Sequence, residues 1–324
     1  SSAQPSFTNW SFGAGGVSSS SNGDEPFIGV ISLISIYDRE LSATEIKTNF
    51  DALASNYDYA SGSISSSNLI CHLDVNNSSS YGGSGTTWSD LSSSTNNFTL
   101  ATGGATPTYT SSGGISYFQF DGTDDYASNS HPTAFDFGTD SFTIGMWCMI
   151  NGFDVLNDAF FSTHDTGATT NFSTNSFEIR RNGSDANGYP RWEHRTQEMS
   201  PTVKFEVGDG TGSQSGKFIN GRWYYWVTTF ENSSSSPYGT VKMYLSSYSI
   251  IDNYGMKEIV SGSSAAANGG QHNFTQNNVV YLMKNRPSTR FTDGFLAELH
   301  VYKGSALSLS EITANYNATK GRYV

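Results

Sequence analysis

The densest carboxylates in this chain lie in Asp121-Gly-Thr-Asp124-Asp125. Calcium takes roughly six to eight oxygens at about 2.3–2.6 Å, so Asp121, Asp124 and Asp125 on one turn would be the start of a calcium site. The same residues also serve an ordinary turn, because Asp side chains bond their own backbone there. Asp74 would join such a site only if the fold brought it close. The histidines (His72, His131, His164, His194, His272, His300) show no His-x-x-x-His spacing, and no glycine-rich stretch follows a phosphate-loop pattern. Two tryptophans are candidates for stacking on a sugar or a partner chain. Trp192, in Tyr189-Pro-Arg-Trp-Glu-His-Arg195, is flanked by charges and is expected to present an exposed ring. Trp88, in a Gly/Thr loop, is the second; for both, the plainer alternative is a ring covering a sheet edge. Arg286 and Arg290 stand around Pro287 in a chain poor in arginine. They read as interface anchors or as partners in salt bridges.

What must position these residues is announced by an internal repeat. Gly29-Val-Ile-Ser-Leu-Ile-Ser-Ile-Tyr37 matches Gly294-Phe-Leu-Ala-Glu-Leu-His-Val-Tyr302, glycine to tyrosine at the same spacing. After each tyrosine come a turn and a short helix signature, Leu41-Ser-Ala-Thr-Glu45-Ile46 and Leu307-Ser-Leu-Ser-Glu311-Ile312. Ser42-x-x-Glu45 and Ser308-x-x-Glu311 are capping boxes. Ile46 with Phe50, and Ile312 with Tyr316, lie four apart on one helical face. Before each helix, apolar residues alternate (Ile34, Ile36; Leu299, Val301), the pattern of a half-buried strand. Two domains of one kind are therefore expected to end at about residue 57 and at residue 324. Residues 1–57 would be the C-terminal remnant of one, 58–68 a Ser/Gly linker and 69–324 a complete domain.

Composition fits an all-β chain. Serine and threonine are roughly a quarter of the residues, favouring strands and turns. Strands are expected at Leu69–Leu73, Ser116–Phe120, Asp124–Ala127, Ser141–Ile150, Ala159–Thr163, Ser176–Arg181, Arg191–His194, Arg222–Glu231, Thr240–Ser246, Asn278–Leu282 and Gly294–Tyr302, with one more at Phe7–Phe12. Many short strands in one long stretch indicate an all-β, two-sheet antiparallel sandwich or jelly roll, with a short C-terminal helix. The formal charge of -12 argues against nucleic acid, and no apolar run is long enough for membrane insertion. Cys71 and Cys148 read as buried free thiols, since nothing in their spacing demands a disulfide.

Leu69-Ile-Cys-His-Leu-Asp74, the Tyr81-Gly-Gly-Ser-Gly-Thr-Thr-Trp88 loop, Phe118-Gln-Phe-Asp121-Gly-Thr-Asp-Asp-Tyr126, Phe142-Thr-Ile-Gly-Met-Trp147, Gly221-Arg-Trp223 and the Gly294–Tyr302 strand with its capped helix occur in that order. Together they resemble the concanavalin A-like, laminin G-like jelly roll, and the Tyr81–Trp88 loop is similar to modules in structural proteins of marine tailed phages. The resemblance implies a concave sheet, calcium at a sheet rim in some members, and burial of the Trp223 face and of Trp147. The glycoside hydrolases of this superfamily carry a Glu-x-Asp-x-Glu strand, which this chain lacks; Glu178 stands alone and Glu206 and Asp209 are misplaced. The implied function is a non-enzymatic virion structural protein of a tailed phage (capsid decoration, tail or fibre), at the virion surface. Its expected partners are other virion proteins and copies of itself, with adhesion to host surface glycans. The alternative is a glycan-binding adhesin of a bacterial surface or secreted protein.

Overall fold

The computed structural model describes residues 34–54, 63–130, 133–151, 159–165, 176–182, 189–196, 203–207, 218–246, 255–264, 271–275, 278–285 and 290–323. The chain divides into two compact units, Ser1–Ala54 and Ser55–Val324.

In the first unit, the capping box of helix α1 (Ala43–Ala54) forms as its sequence requires. The Ser42 amide donates to Glu45 Oε2 at 2.9 Å, and the Glu45 amide donates to Ser42 Oγ at 3.3 Å. Ile34–Tyr37, the described part of the expected strand, show no strand pairing among the described residues and are exposed. A strand needs a neighbour for its backbone groups, and none is described beside these residues. The Phe7–Phe12 candidate lies outside the described residues.

In the second unit the strands are β1 (Leu69–Asp74), β2 (Thr87–Trp88), β3 (Phe98–Leu100), β4 (Thr108–Ser112), β5 (Ile115–Asp121), β6 (Ala127–Asn129), β7 (Phe142–Ile150), β8 (Ala159–Asp165) and β9 (Ser176–Asn182). They continue with β10 (Tyr189–Thr196), β11 (Val203–Val207), β12 (Trp223–Asn232), β13 (Gly239–Ser246), β14 (Met256–Ser264), β15 (Asn278–Leu282), β16 (Lys284–Asn285), β17 (Arg290–Phe291) and β18 (Asp293–Lys303). One sheet runs β14-β13-β12-β7-β18-β5-β4, with β1 also paired to β18; the other runs β11-β10-β9-β8-β15-β6-β3-β2. Strand pairing is antiparallel throughout, and the unit is a jelly-roll sandwich.

Strand alternation sorts the side chains. Phe142, Ile144, Met146 and Cys148 of β7 and Leu299 and Val301 of β18 meet Phe161, Ile179, Trp192, Val280 and Leu282 of the opposite sheet in the main core. The other face of the first sheet is buried too, under helix α2 (Leu309–Thr319). Trp147, Tyr225, Tyr302, Ile312 and Tyr316 form that second core; Trp147 Nε1 donates to Thr319 Oγ1 at 2.7 Å, and its ring lies 4.3 Å from Tyr323. Burial of Trp147 agrees with expectation, and β12 is buried on both faces because the helix covers the second. Its capping box holds α2 at Ser308 and Glu311. Asn315 Nδ2 donates to Tyr302 OH at 2.9 Å, the counterpart of Asn49 Nδ2 to Tyr37 OH at 2.9 Å in the first unit. Cys71 and Cys148 are both free and buried. No helix among the described residues is long and apolar enough to cross a membrane.

Candidate functional site

The acidic turn brings Asp121, Asp124 and Asp125 together, their carboxylate oxygens within 4.8 Å of one another. Asp121 Oδ1 accepts from the amides of Thr123 (2.8 Å) and Asp124 (3.4 Å), and Asp125 Oδ2 accepts from the Asp121 amide at 3.0 Å. Gly122 sits at φ +73°, where a Cβ would come within 2.9 Å of Asp293 Cβ, so only glycine lets the turn pass β18. Burial, then the charges of Asp121 and Asp124, push the Asp125 carboxyl up to about 6, against the single amide bond that favours its charge. Among the described residues no fourth histidine, cysteine or carboxylate joins the three. The bonds observed are those of a turn.

Trp192 and Trp88 are corrections. Both are fully buried. Trp192 stacks on Phe177 at 4.6 Å, and Trp88 meets Phe118 edge-on at 5.0 Å. Neither ring can reach a ligand. The charges beside Trp192 point to the opposite face of β10, since neighbours in a strand alternate. There Glu193 lies directly across from Glu178, and Arg191 across from Arg180. Arg180 pairs with Glu193 and lies 3.7 Å from Glu178, while Arg191 lies 3.7 Å from Glu193. Diagonal guanidinium–carboxylate pairs thus offset the like charges placed opposite each other.

On the same outer face, β15 contributes Tyr281, which lies across from Ser128 of β6 and Ser162 of β8. Lys284 of β16 places its ammonium 4.1 Å from the Tyr126 ring centre, 4.8 Å from Tyr281 and 5.3 Å from Phe291. The three rings and the lysine are half-buried. Arg290, the neighbour of Phe291 in β17, is exposed opposite Asn285. Burial pulls the Lys284 pKa down. Among the described residues, neither Lys284 nor Arg290 forms an ion pair, although the chain has 29 acidic and 17 basic side chains. Arg290 is next to Phe291 in the strand but makes no described contact with the lysine or the rings; Arg286 lies outside the described residues.

A second group escaped the spacing argument, which finds no metal motif among the histidines. Pairing of β1 with β18 sets His72 directly across from His300 and Asp74 across from Glu298. Glu298 Oε1 lies 3.3 Å from His72 Nε2 and 3.1 Å from His300 Nε2, and His300 Nδ1 lies 3.0 Å from Tyr225 OH. Arg322 donates to Asp74 Oδ2 at 2.8 Å and stands 3.8 Å from Glu298 Oε2. Burial opposes the Glu298 charge, but the two imidazoles outweigh it and hold the carboxyl at about 2. The sequence does hold a signal: the first repeat has Leu33 and Ser35 where the second has Glu298 and His300.

Fold and site together define an all-β jelly-roll sandwich with a closed core, a helix-covered sheet and a second sheet whose outer face carries the cation–aromatic cluster. No family model matches the chain, and no curated protein matches it in sequence. Among solved structures it is similar to domain 4 of AbnA, a GH43 extracellular arabinanase from Geobacillus stearothermophilus, in complex with arabinotriose. That likeness has 16% identity over 76% of this chain and 96% of that one, at a TM-score of 0.49. It is also similar to the binding domain of Paraclostridial Mosquitocidal Protein 1, at 14% identity over 76% of this chain and 51% of that one, TM-score 0.49. A third likeness is to the Trypanosoma rangeli sialidase in complex with the inhibitor DANA, at 10% identity over 86% of this chain and 39% of that one, TM-score 0.47. None of the three assigns a ligand or an activity to this chain.

Proposed function

We propose that this chain is a non-catalytic binding module that recognises acid-bearing glycans of a host surface, carried on the virion of a tailed phage as a decoration, tail or fibre component. The observation that carries the glycan reading is the cluster of Tyr126, Tyr281 and Phe291 around Lys284. Among the described residues Lys284 has no carboxylate partner, which in an acidic chain suits a sugar carboxylate or sulfate, and half-buried rings suit the sugar's apolar face. The outer-face carboxylates support a non-catalytic role, because Glu178 and Glu193 are engaged by Arg180 and Arg191 instead of standing as a free acid/base pair. The virion setting is supported by the loop motifs that resemble phage structural modules and by the repeated strand-and-helix ending. Partners are then other virion proteins and further copies of the chain.

Glycan-array binding followed by calorimetry tests the site. Wild type should bind acidic glycans, and Tyr281→Ala should weaken binding several-fold to about tenfold, the worth of one ring contact. Equal affinity in Tyr281→Ala and in Lys284→Ala would overturn the site. Quantitative mass spectrometry of purified particles tests the setting. Detection only in secreted or cell-surface material would leave the bacterial adhesin.

A further inference from the structure

We infer that His72, Glu298 and His300 form a binding site for one transition-metal ion, zinc being the best fit, beneath the C-terminal helix and on the other sheet from the glycan face. The site follows from register. His72 and His300 are directly paired between β1 and β18, and Glu298 lies two residues from His300, so all three side chains leave the same face. That face carries the second core, and the chain's last turn packs there through Arg322 and Tyr323.

The spacing is that of ligands around an ion. Zinc binds imidazole nitrogen and carboxylate oxygen at about 2.0–2.2 Å, and tetrahedral corners at that radius stand roughly 3.3–3.6 Å apart. Glu298 Oε1 is 3.3 Å from His72 Nε2 and 3.1 Å from His300 Nε2, and all three ligand atoms lie within 4.8 Å of one another. Little movement separates the present arrangement from a coordinated one. A fourth position is left for water.

The surroundings suit a metal as well. Ligating histidines ordinarily engage their second ring nitrogen with a polar partner that fixes the ring. Tyr225 OH does this at His300 Nδ1, at 3.0 Å. The donor set of two imidazoles and one carboxylate selects zinc and its neighbours over calcium, which takes oxygen alone. Asp74 and Glu298 together face one guanidinium, Arg322, so a bound dication offsets a remaining negative charge in a buried place. His72 is the side of approach, its side chain 17% exposed against 0% for His300. The ion would clip the first strand of the sheet to β18, and through Tyr323 and Arg322 would fasten the end of the helix.

The test uses the full chain, without a histidine tag, stripped by chelator and titrated with zinc chloride in a calorimeter, with cobalt as the spectroscopic probe. Saturable binding of one ion per chain, a raised Tm and the intense visible bands of tetrahedral cobalt are expected. His72→Gln, at the partly exposed edge, should fold and lose affinity at least about 100-fold; Tyr225→Phe should lose about 10–100-fold while keeping the stoichiometry. Asp121→Asn with Asp124→Asn should bind zinc as wild type does. No saturable binding in wild type, an octahedral cobalt spectrum, or wild-type affinity in a folded His72→Gln would each overturn the site. So would loss of zinc binding only in the Asp121/Asp124 variant.

Discussion

Asp125→Asn should stabilise the protein at neutral pH. Asp125 is 4% exposed as a residue, and its carboxyl is raised from 3.8 to about 6, first by burial and then by Asp121 and Asp124. An acid raised on folding binds more protons folded than unfolded, so stability falls as pH climbs from about 4 through 6 and the loss is complete above that. The interval corresponds to a ceiling of about 3 kcal/mol, and sharing of charge with the two neighbouring carboxylates brings the expected gain to about 1–2 kcal/mol. Asparagine keeps an oxygen to accept from the Asp121 amide, so the turn survives. The assay is urea denaturation of both proteins in chelator at pH 4 and pH 7. The variant should match wild type at pH 4 and exceed it at pH 7. Lower stability of the variant at pH 7, or a gap that does not change with pH, would refute the argument.

Three further outcomes follow from the same geometry. Adding calcium to chelator-treated wild type should leave Tm unchanged, because the turn's oxygens serve its own amides; a clear rise would restore the calcium reading. Trp192→Ala should cost about 3–5 kcal/mol through a core cavity and lower Tm strongly. A variant of normal stability that loses only ligand binding would contradict that burial. Ser308→Ala should cost about 1 kcal/mol by removing the α2 cap, read as a shift in the denaturation midpoint; no shift would mean that packing alone holds the helix.

Much of the fold was legible because it rests on local rules. Alternation exposed β7, β12 and β18, and Ser308 with Glu311 marked the helix start. Strands poor in aromatics, such as β14 with Met256-Lys-Glu-Ile-Val-Ser-Gly, were missed, because their pairing with β13 supplies what their side chains do not announce. The site was mostly hidden. His72 meets Glu298 across 226 residues of sequence, and Lys284 gains its three rings from the loop before β6, from β15 and from β17. Trp192 misled for a physical reason: charges at both neighbours look like surface, yet alternation turns them to one face and the ring to the other. Ile34, Ile36 and Ile46 are exposed while Leu299, Val301 and Ile312 are buried, so similar patterns gave different burial: the second copy lies in a sheet, and among the described residues none is paired with the first.

Strand β18 has a consequence for how the chain comes into being. It joins β7 on one side to β5 and β1 on the other, and β1 pairs with nothing else in the described sheet. Until residues 293–303 leave the ribosome, that sheet exists only as separate pieces: a four-stranded block, a hairpin and a lone strand. Closure therefore waits for residues 293–303, more than 200 residues after β1, and contacts of such long range form slowly. A nascent chain held at residue 290 should remain open to protease and chaperone alike, and commit to its shape only once β18 has been made.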